Sequence, residues 1–335
     1  MASVRETNPV FRASKSRHLV SAWALPKHAD HALQVATTYQ DILDQVIFMC
    51  EEAQPDGSLP ADWPASERKQ LIPRFRDLGV SVLNDYSGSR EAWAALSQAP
   101  KALERLVDNI VADCEETGAD GVDIDFEHLA PQHRFAFGEF IADLSEELHE
   151  RRKMLSICTA SPSREENRDH GVPFLDTSWL AHYCDHIRPM NYDQFYPSSP
   201  ILGPTSTASW TRERMQYMVA QVPRHKIIAG LPTYSVDWDI TDPTKSRQIY
   251  DYQWIAEREK ESEIGRAWIP HWDVGLIRYT DAAGHIHYLY VSDARSTQSH
   301  LETVDALDLG GICFWCLMGE DPAIWEAVRH YFGRR

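Results

Sequence analysis

The segment DGVDIDFE, residues 120–127, places acids at every second position. In a β-strand alternate side chains point to opposite faces, so Asp123, Asp125 and Glu127 share one face. Three apolar residues fill the positions between them: Val122, Ile124 and Phe126. Carboxyls held this close repel one another, and where they lose water some keep their protons at neutral pH. Such a set can do general acid–base chemistry.

Two other interpretations of the acidic face are a solvated strand and a calcium site. A solvated strand normally mixes residues such as Thr, Lys and Ser on its outer face. Calcium loops place their acids on a turn with Gly rather than on a strand with an apolar back. We therefore favour acid–base chemistry over both.

Composition excludes several classes of protein. The chain has 335 residues, 43% of them hydrophobic and 25% charged, which suits one large domain or two small ones with a normal core. The formal net charge of −17 argues against nucleic acid or an anionic membrane as partner, because both need a basic face. No run approaches 18 apolar residues, so we predict no membrane span.

The cysteines and the N-terminal segment bear on the compartment. The six cysteines lie mostly in apolar runs, which predicts buried free thiols in a reducing compartment. The C-x-x-C of Cys313 and Cys316 falls in a predicted strand, so its redox interpretation is weak. Residues 1–20 lack the apolar stretch of a secretory signal. We expect a cytoplasmic protein, with an extracellular mature form as the alternative.

Short apolar runs recur along the chain and alternate with helical patterns. Eight runs are predicted strands: 18–25, 44–50, 79–85, 120–127, 153–160, 185–191, 226–232 and 310–318. Predicted helices cover 91–99, 100–117, 133–151, 210–222, 296–308 and 321–332, and Gly118 ends the second of these. Alternating strands and helices predict an α/β fold, here a single (β/α)8 barrel domain over 1–335.

The segment 235–295 is predicted to be a small α+β insertion between the seventh and eighth barrel strands. Within it, LIRYTDAAGHIHYLYV (276–291) has two alternating apolar segments about an Asp-Ala-Ala-Gly turn, which indicates a β-hairpin. Its many aromatic residues argue against a disordered loop.

A barrel gives the acidic strand a position. Active sites of this fold lie at the carboxyl ends of the strands. Glu127 would be the last inward residue of the fourth strand, with Asp125 and then Asp123 below it. The two aspartates would share a proton, and Glu127 would hold its own until needed as a general acid. The sequence has no P-loop, G-x-G-x-x-G or H-E-x-x-H motif, and we predict no cofactor and no metal.

The sequence resembles glycoside hydrolase family 18, the chitinase family. The family signature D-x-x-D-x-D-x-E matches Asp120 and the three acids after it. Further matches are MNYD (190–193), GLPTY (230–234) and GGICFW (310–315), so the resemblance covers most of 18–333. The third strand, VLNDYSG, and the ending FWCLMGEDPAIW look more like the branch that contains spore-cortex and other peptidoglycan N-acetylglucosaminidases.

The resemblance implies a hydrolase that cuts β-1,4 bonds after N-acetylglucosamine in chitin, chitooligosaccharides or peptidoglycan. It implies substrate-assisted retention, in which the sugar's own acetamido group replaces an enzyme nucleophile. The catalytic residues would be Glu127, Asp125, Asp123, Tyr192 and Asp193. Trp315 would stack under the sugar, and Met190, Tyr234, Trp23 and Asn84 complete the expected substrate-binding set.

Two alternatives remain open at this point. One is a catalytically silent, lectin-like carbohydrate-binding barrel, and the other is an endo-N-acetylglucosaminidase that acts on N-glycan cores. Silent members of the family usually lose the terminal Glu of the signature. Glu127 is present, so we favour the enzyme.

Overall fold

The protein is described by a computed structural model that covers residues 18–60, 62–127, 129–161, 175–195, 199, 201–242, 247–262 and 265–333. Eight parallel strands form a closed barrel: β1 Leu19–Ala24, β2 Gln45–Glu52, β3 Ser81–Ser87, β4 Gly121–Asp125, β5 Met154–Ala160, β6 His186–Met190, β7 Ile228–Pro232 and β13 Gly311–Trp315. Around the barrel these strands pair in the order β1-β13-β7-β6-β5-β4-β3-β2. The predicted (β/α)8 barrel is confirmed.

Helices surround this barrel. They are α1 Ala29–Thr38, α2 Ala65–Asp77, α3 Arg90–Leu96, α4 Pro100–Thr117, α5 Arg134–Glu150, α6 Thr177–Leu180, α7 Ala208–Met218, α9 Ala294–Ala306 and α10 Ala323–Tyr331, with 3-10 turns at Pro26–His28, Pro131–His133 and Arg224–Lys226. Gly118 ends α4 with a φ of +75°, a conformation that glycine adopts without strain. Within the described ranges no helix is long and apolar enough to cross a membrane.

The segment between β7 and β13 forms a sheet of its own. Its elements are β8 Ser235–Asp239, β9 Gln248–Tyr250, α8 Tyr252–Ser262, β10 Arg266–Ile269, β11 Val274–Thr280 and β12 Ile286–Val291. The strands are antiparallel in the order β10-β11-β12-β8-β9. The expected hairpin is β11–β12, and Asp281 Oδ1 closes its turn by accepting the backbone N–H groups of Ala283 and His285.

An aspartate placed just before a strand ties that strand to its neighbour at three points of the barrel. Each carboxylate accepts the backbone N–H of a residue in the preceding strand, and each of these bonds is 2.9 Å long. The pairs are Asp44 with Val20, Asp120 with Val82, and Asp185 with Leu155. Asp120, the first acid of the DGVDIDFE segment, therefore lies at the amino end of β4 and has a structural role. The mouth of the barrel, at the carboxyl ends of the strands, is on the opposite side.

The two faces of β4 lie in different surroundings. Val122, Ile124 and Phe126 are buried in the layer between barrel and helices. Phe126 packs in edge and tilted contacts with Trp93, Phe137 and Phe140. Gly88 makes room for it, since a Cβ there would lie 2.3 Å from the Phe126 ring. This apolar layer fixes the direction in which the acidic face points, toward the barrel axis.

Candidate active site

The three acids of β4 lie at graded depth. Asp123 is fully buried, Asp125 is half-buried and Glu127 is exposed. β4 ends at Asp125, so Glu127 belongs to the loop that follows. The expectation that Glu127 is the last inward residue of the strand is wrong by two positions. The order of depth is as expected, and Glu127 is the acid that a ligand reaches first.

Asp123 is held from several sides inside the barrel. The indole Nε1 of Trp23 donates to its Oδ2 at 2.9 Å, and the Cys158 thiol lies 3.3 Å from the same oxygen. The Ser156 hydroxyl donates to Oδ1, and Arg188 Nε lies 3.6 Å from that atom. Both oxygens therefore have donors, and the guanidinium supplies an opposite charge.

Asp125 has no such support. Burial, and after it the negative charges of Glu127 and Asp123, raises the pKa of Asp125 to about 8. Its Oδ1 is buried and makes no hydrogen bond within the described residues. The raised pKa favours the protonated form of Asp125, which can donate a hydrogen bond beside Glu127.

Asp85 is an acid of the site that sequence reasoning missed. It lies on β3 in register with Asp123, is 1% exposed, and its Oδ2 makes no hydrogen bond within the described part of the chain. Burial, followed by the charges of Asp125 and Asp123, raises the pKa of Asp85 well above its ordinary value. One sequence feature could have indicated Asp85: it is an acid within β3, whose other inward residues are apolar or small.

Asp85, Asp125 and Cys158 form a group whose oxygen and sulfur atoms lie within 4.8 Å of one another. Such a donor set could be considered for a metal ion. Burial raises the pKa of the Cys158 thiol well above its ordinary value, as it does for both acids. A metal ion would have to displace these protons to bind, and we assign this group no metal.

Asn84 does not lie where the sequence analysis expected it. Its side chain points outward from the barrel, and Nδ2 donates to Asp113 Oδ2 at 3.1 Å and to Thr117 Oγ1 at 3.0 Å on α4. Alternation along β3 accounts for the difference, because it turns Asp85 inward and Asn84 toward the helices. Asn84 is therefore not brought together with the other candidate residues.

Aromatic side chains form one wall of the site. Trp315, at the end of β13, is half-buried and lies nearly parallel to Tyr192, with ring centroids 6.4 Å apart and planes 21° apart. Trp23 meets Trp315 edge-on at 5.9 Å and is only 1% exposed. Trp23 thus positions Asp123 and supports Trp315 from below. Met190 ends β6 in register with Gly230 and is half-buried.

Tyr192 and Asp193 follow β6 and reach the same mouth. Burial, with smaller effects from Cys158, Tyr234 and Asp125, raises the pKa of Tyr192 well above its ordinary value, so the phenol stays protonated. Tyr234 packs edge-on against Tyr192 at 6.3 Å, and its hydroxyl donates to Asp193 Oδ1 at 2.7 Å.

Arg247 is a second contributor that sequence reasoning missed. It lies in the insertion, and its Nη1 is 2.7 Å from Asp193 Oδ1 and 2.9 Å from the backbone carbonyl oxygen of Phe195. Its side chain is 7% exposed, while that of Asp193 is 48% exposed. The insertion thus fixes the conformation of the loop after β6.

The barrel brings acids from β3 and β4 and aromatic residues from several other strands to its carboxyl end, where the side chains of Glu127 and Asp193 are exposed. These are the features of a (β/α)8 hydrolase. Residues 64–321 match the model of Glycosyl hydrolases family 18. This match spans well over half of the chain, and the chain belongs to that family.

Individual relatives agree with this assignment. The chain is 26% identical over 313 residues to the cortical fragment-lytic enzyme of Bacillus subtilis, a match that covers 91% of this chain and 71% of that protein. The solved C-terminal domain of a chitinase-like protein from Desulfitobacterium hafniense superimposes with a TM-score of 0.84 at 22% identity, covering 94% of this chain and 99% of that one. A family 18 chitinase from Cycas revoluta, solved with (GlcNAc)3, has a TM-score of 0.81 at 15% identity, covering 94% and 100%.

Proposed function

We propose that the protein is a retaining glycoside hydrolase that cleaves β-1,4 bonds after N-acetylglucosamine, with Glu127 as general acid and base. The observation that carries this proposal is the graded set of acids on and after β4. Asp123 is fully buried and hydrogen-bonded, Asp125 is half-buried with its pKa raised to about 8, and Glu127 is exposed at the mouth. Family membership supports the glycosidase class.

The proposed reaction needs no enzyme nucleophile. The acetamido oxygen of the sugar attacks its own anomeric carbon, the glycosidic C–O bond breaks, and Glu127 gives its proton to the leaving oxygen. This produces a cyclic oxazolinium and a Glu127 carboxylate. The carboxylate then removes a proton from water, whose oxygen attacks the anomeric carbon and reopens the ring. The product has the starting configuration and Glu127 is protonated again.

Asp125 and its neighbours stabilise the charged intermediate in this proposal. The Asp125 carboxyl orients the acetamido N–H and passes its proton toward Asp123 as positive charge develops on the substrate. The Tyr192 hydroxyl, which burial keeps protonated, donates to the acetamido oxygen. Asp193 holds the loop through Tyr234 and Arg247, and Trp315 provides the face on which the sugar stacks.

The substrate class is a polymer or oligomer that contains N-acetylglucosamine. The relative named as a cortical fragment-lytic enzyme favours peptidoglycan fragments, and the chitinase solved with (GlcNAc)3 favours chitooligosaccharides. Glu127 is present and exposed, so a general acid can reach the ligand. This favours an enzyme over a silent carbohydrate-binding barrel.

Mass spectrometry of products tests the proposal. The protein is incubated separately with chitotetraose, with cellotetraose, and with peptidoglycan from which any muramidase has been removed. Cellotetraose is the matched control, because it has hydroxyls in place of the acetamido groups. We expect products from chitotetraose or muropeptides that end in reducing N-acetylglucosamine, and none from cellotetraose. Cleavage of cellotetraose at a similar rate would contradict substrate assistance, and no products from any of the three would favour a binding role.

A further inference from the structure

The barrel interior holds one more acid than the proposed reaction uses. Asp85, Asp123 and Asp125 lie together there, and Arg188 is the guanidinium that faces them. All but Asp125 are at most 1% exposed. A buried carboxylate without a balancing charge is strongly unfavourable, because it has lost its hydration and gained no opposite charge. Among the residues that the structure describes, three acids against one cation favour a neutral form for some of the acids.

Arg188 contacts Asp123 and the polar residues around it. Its Nε lies 3.1 Å from Ser156 Oγ and 3.6 Å from Asp123 Oδ1. Its terminal nitrogens cross the barrel to Ser21 Oγ at 2.9 Å and Gln45 Oε1 at 2.5 Å. The side chain is fully buried and held at both ends, so the charge that it balances is that of Asp123.

Within the described residues Asp85 makes no ion pair, and the charge of Arg188 lowers its pKa less than burial and the neighbouring acids raise it. The titratable and charged groups around it come from every neighbouring strand: Asp123, Asp125 and Glu127 from β4 and its loop, Cys158 from β5, Arg188 from β6, and the Cys50 thiol from β2 against its backbone. Most of these groups are acids or thiols. A neutral Asp85 is therefore the favoured form, and its Oδ2, which makes no hydrogen bond within the described residues, is available to donate.

We propose that Asp85 is a positioning residue of the catalytic site: as a neutral acid it donates a hydrogen bond to Asp125 whenever Asp125 carries negative charge. A carboxyl oxygen of Asp85 lies within 4.8 Å of a carboxyl oxygen of Asp125. A modest rotation of the Asp125 side chain would bring the two oxygens within hydrogen-bond distance. The unpartnered Oδ1 of Asp125 is the natural acceptor. The role rests on the proposed function, because Asp125 becomes negative when it stabilises the oxazolinium.

Two variants of matched shape separate a neutral donor from a charged group. Asp85→Asn keeps a donor and removes the titratable proton, whereas Asp85→Leu keeps the branched shape and removes every polar atom. We expect Asp85→Asn to stay within about threefold of the wild-type kcat on chitotetraose, with an unchanged pH profile. We expect Asp85→Leu to lose about 10- to 100-fold in kcat with little change in KM, because the bond forms as charge develops.

Each departure from this pattern overturns the proposal. If Asp85→Asn is as slow as Asp85→Leu, the site needs the negative charge of Asp85. If Asp85→Leu has the same kcat as the wild type, Asp85 does not position Asp125 for the reaction.

An infrared measurement keeps the test independent of turnover. At neutral pH the wild type should show a carboxylic acid C=O band that Asp85→Asn lacks, and an unchanged band would overturn the proposal. Should the wild type cleave no N-acetylglucosaminide, the proposed function fails while the infrared result still reports the proton on Asp85.

Discussion

At the scale of residues, the site places acids where water cannot stabilise their charge. Asp125 illustrates the cost, since burial and two neighbouring acids raise its pKa to about 8. In the unfolded chain the same carboxyl ionises near pH ~4. The folded state therefore binds a proton that the unfolded state has already lost over the range between these values.

This difference in pKa predicts that Asp125→Asn stabilises the fold at neutral pH. The stability associated with a raised pKa is fully present below the unfolded pKa and is lost as pH rises through the folded value. An amide carries no such penalty. One pKa unit corresponds to about 1.4 kcal/mol, so over the roughly three pH units from 4 to 7 we expect the variant to gain about 4 kcal/mol of unfolding free energy, and to match the wild type at about pH 4. Its activity should fall at the same time.

Urea unfolding followed by tryptophan fluorescence at the two pH values measures this effect. Asp108→Asn, an exposed position on α4, is the control and should leave the unfolding free energy unchanged at both. A variant at Asp125 that is less stable than the wild type at pH 7 would show that the carboxyl has a stabilising partner in the folded state.

Sequence reasoning found part of the site at this scale. The alternation of DGVDIDFE was enough to place Asp123, Asp125 and Glu127 in order of depth. Asp85 and Arg188 were missed for a shared reason: each is a charged residue in a strand whose burial comes from neighbours far along the chain. The local pattern of VLNDYSG does not say which of Asn84 and Asp85 faces inward.

At the scale of elements, aspartates that precede β2, β4 and β6 connect each strand to the one before it. Asp185 is the most elaborate example. Burial alone would raise its pKa, but hydrogen bonds from the His149 side chain and the Leu155 N–H outweigh burial and lower it. The carboxylate thus joins α5, β5 and the start of β6.

Removal of this carboxylate should destabilise the barrel. We expect Asp185→Ala to lose about 1–3 kcal/mol of unfolding free energy at pH 7, as for a buried donor left without its acceptor. A lowered pKa contributes stability above the unfolded pKa that is lost as pH falls through the folded value, so the gap between variant and wild type should narrow in acid.

Chemical denaturation of Asp185→Ala at neutral and acidic pH, compared with Asp108→Asn at the same values, gives the measurement. A loss of equal size at both pH values would mean that the ionised carboxylate is not what stabilises the strand.

Helices and strands were predicted correctly where their apolar residues recur at regular spacing. The eight barrel strands were found within three residues at each end, whereas α1, α2 and the short α6 were missed. The sequence of α2, ASERKQLIPRFRD, has Pro73 inside the helix and few apolar residues. Its inward face includes Arg68, which is buried through an ion pair with Asp113. A face that is buried through such a pair leaves no apolar stripe in the sequence.

At the scale of the whole molecule, the insertion and the barrel share one aromatic cluster. Tyr192 and Trp315 from the barrel pack with insertion residues that include Val236, Trp238 and Tyr290. Arg247 adds a polar link to Asp193. The insertion thus supports the residues at the mouth of the barrel, a relation that its sequence did not reveal because the partners lie on different strands.

This support predicts an effect of Arg247→Ala on turnover. The variant removes the bonds to Asp193 and the Phe195 carbonyl and leaves the barrel sheet untouched. We expect kcat/KM on N-acetylglucosamine oligomers to fall about tenfold, the effect of one charged hydrogen bond in the transition state. Steady-state kinetics beside Arg278→Ala, an exposed insertion residue, measures it. Equal rates for the two variants would mean that the insertion does not position the loop after β6.

The most direct measurement concerns Glu127. Glu127→Gln keeps the shape of the side chain and removes its acid–base function, so turnover of chitotetraose or peptidoglycan should fall about 10²- to 10⁴-fold. Binding of the same ligand, measured by calorimetry, should stay within a few-fold of the wild type. A Glu127→Gln protein that still turns over at the wild-type rate would contradict the account, because another group would then have to supply the proton.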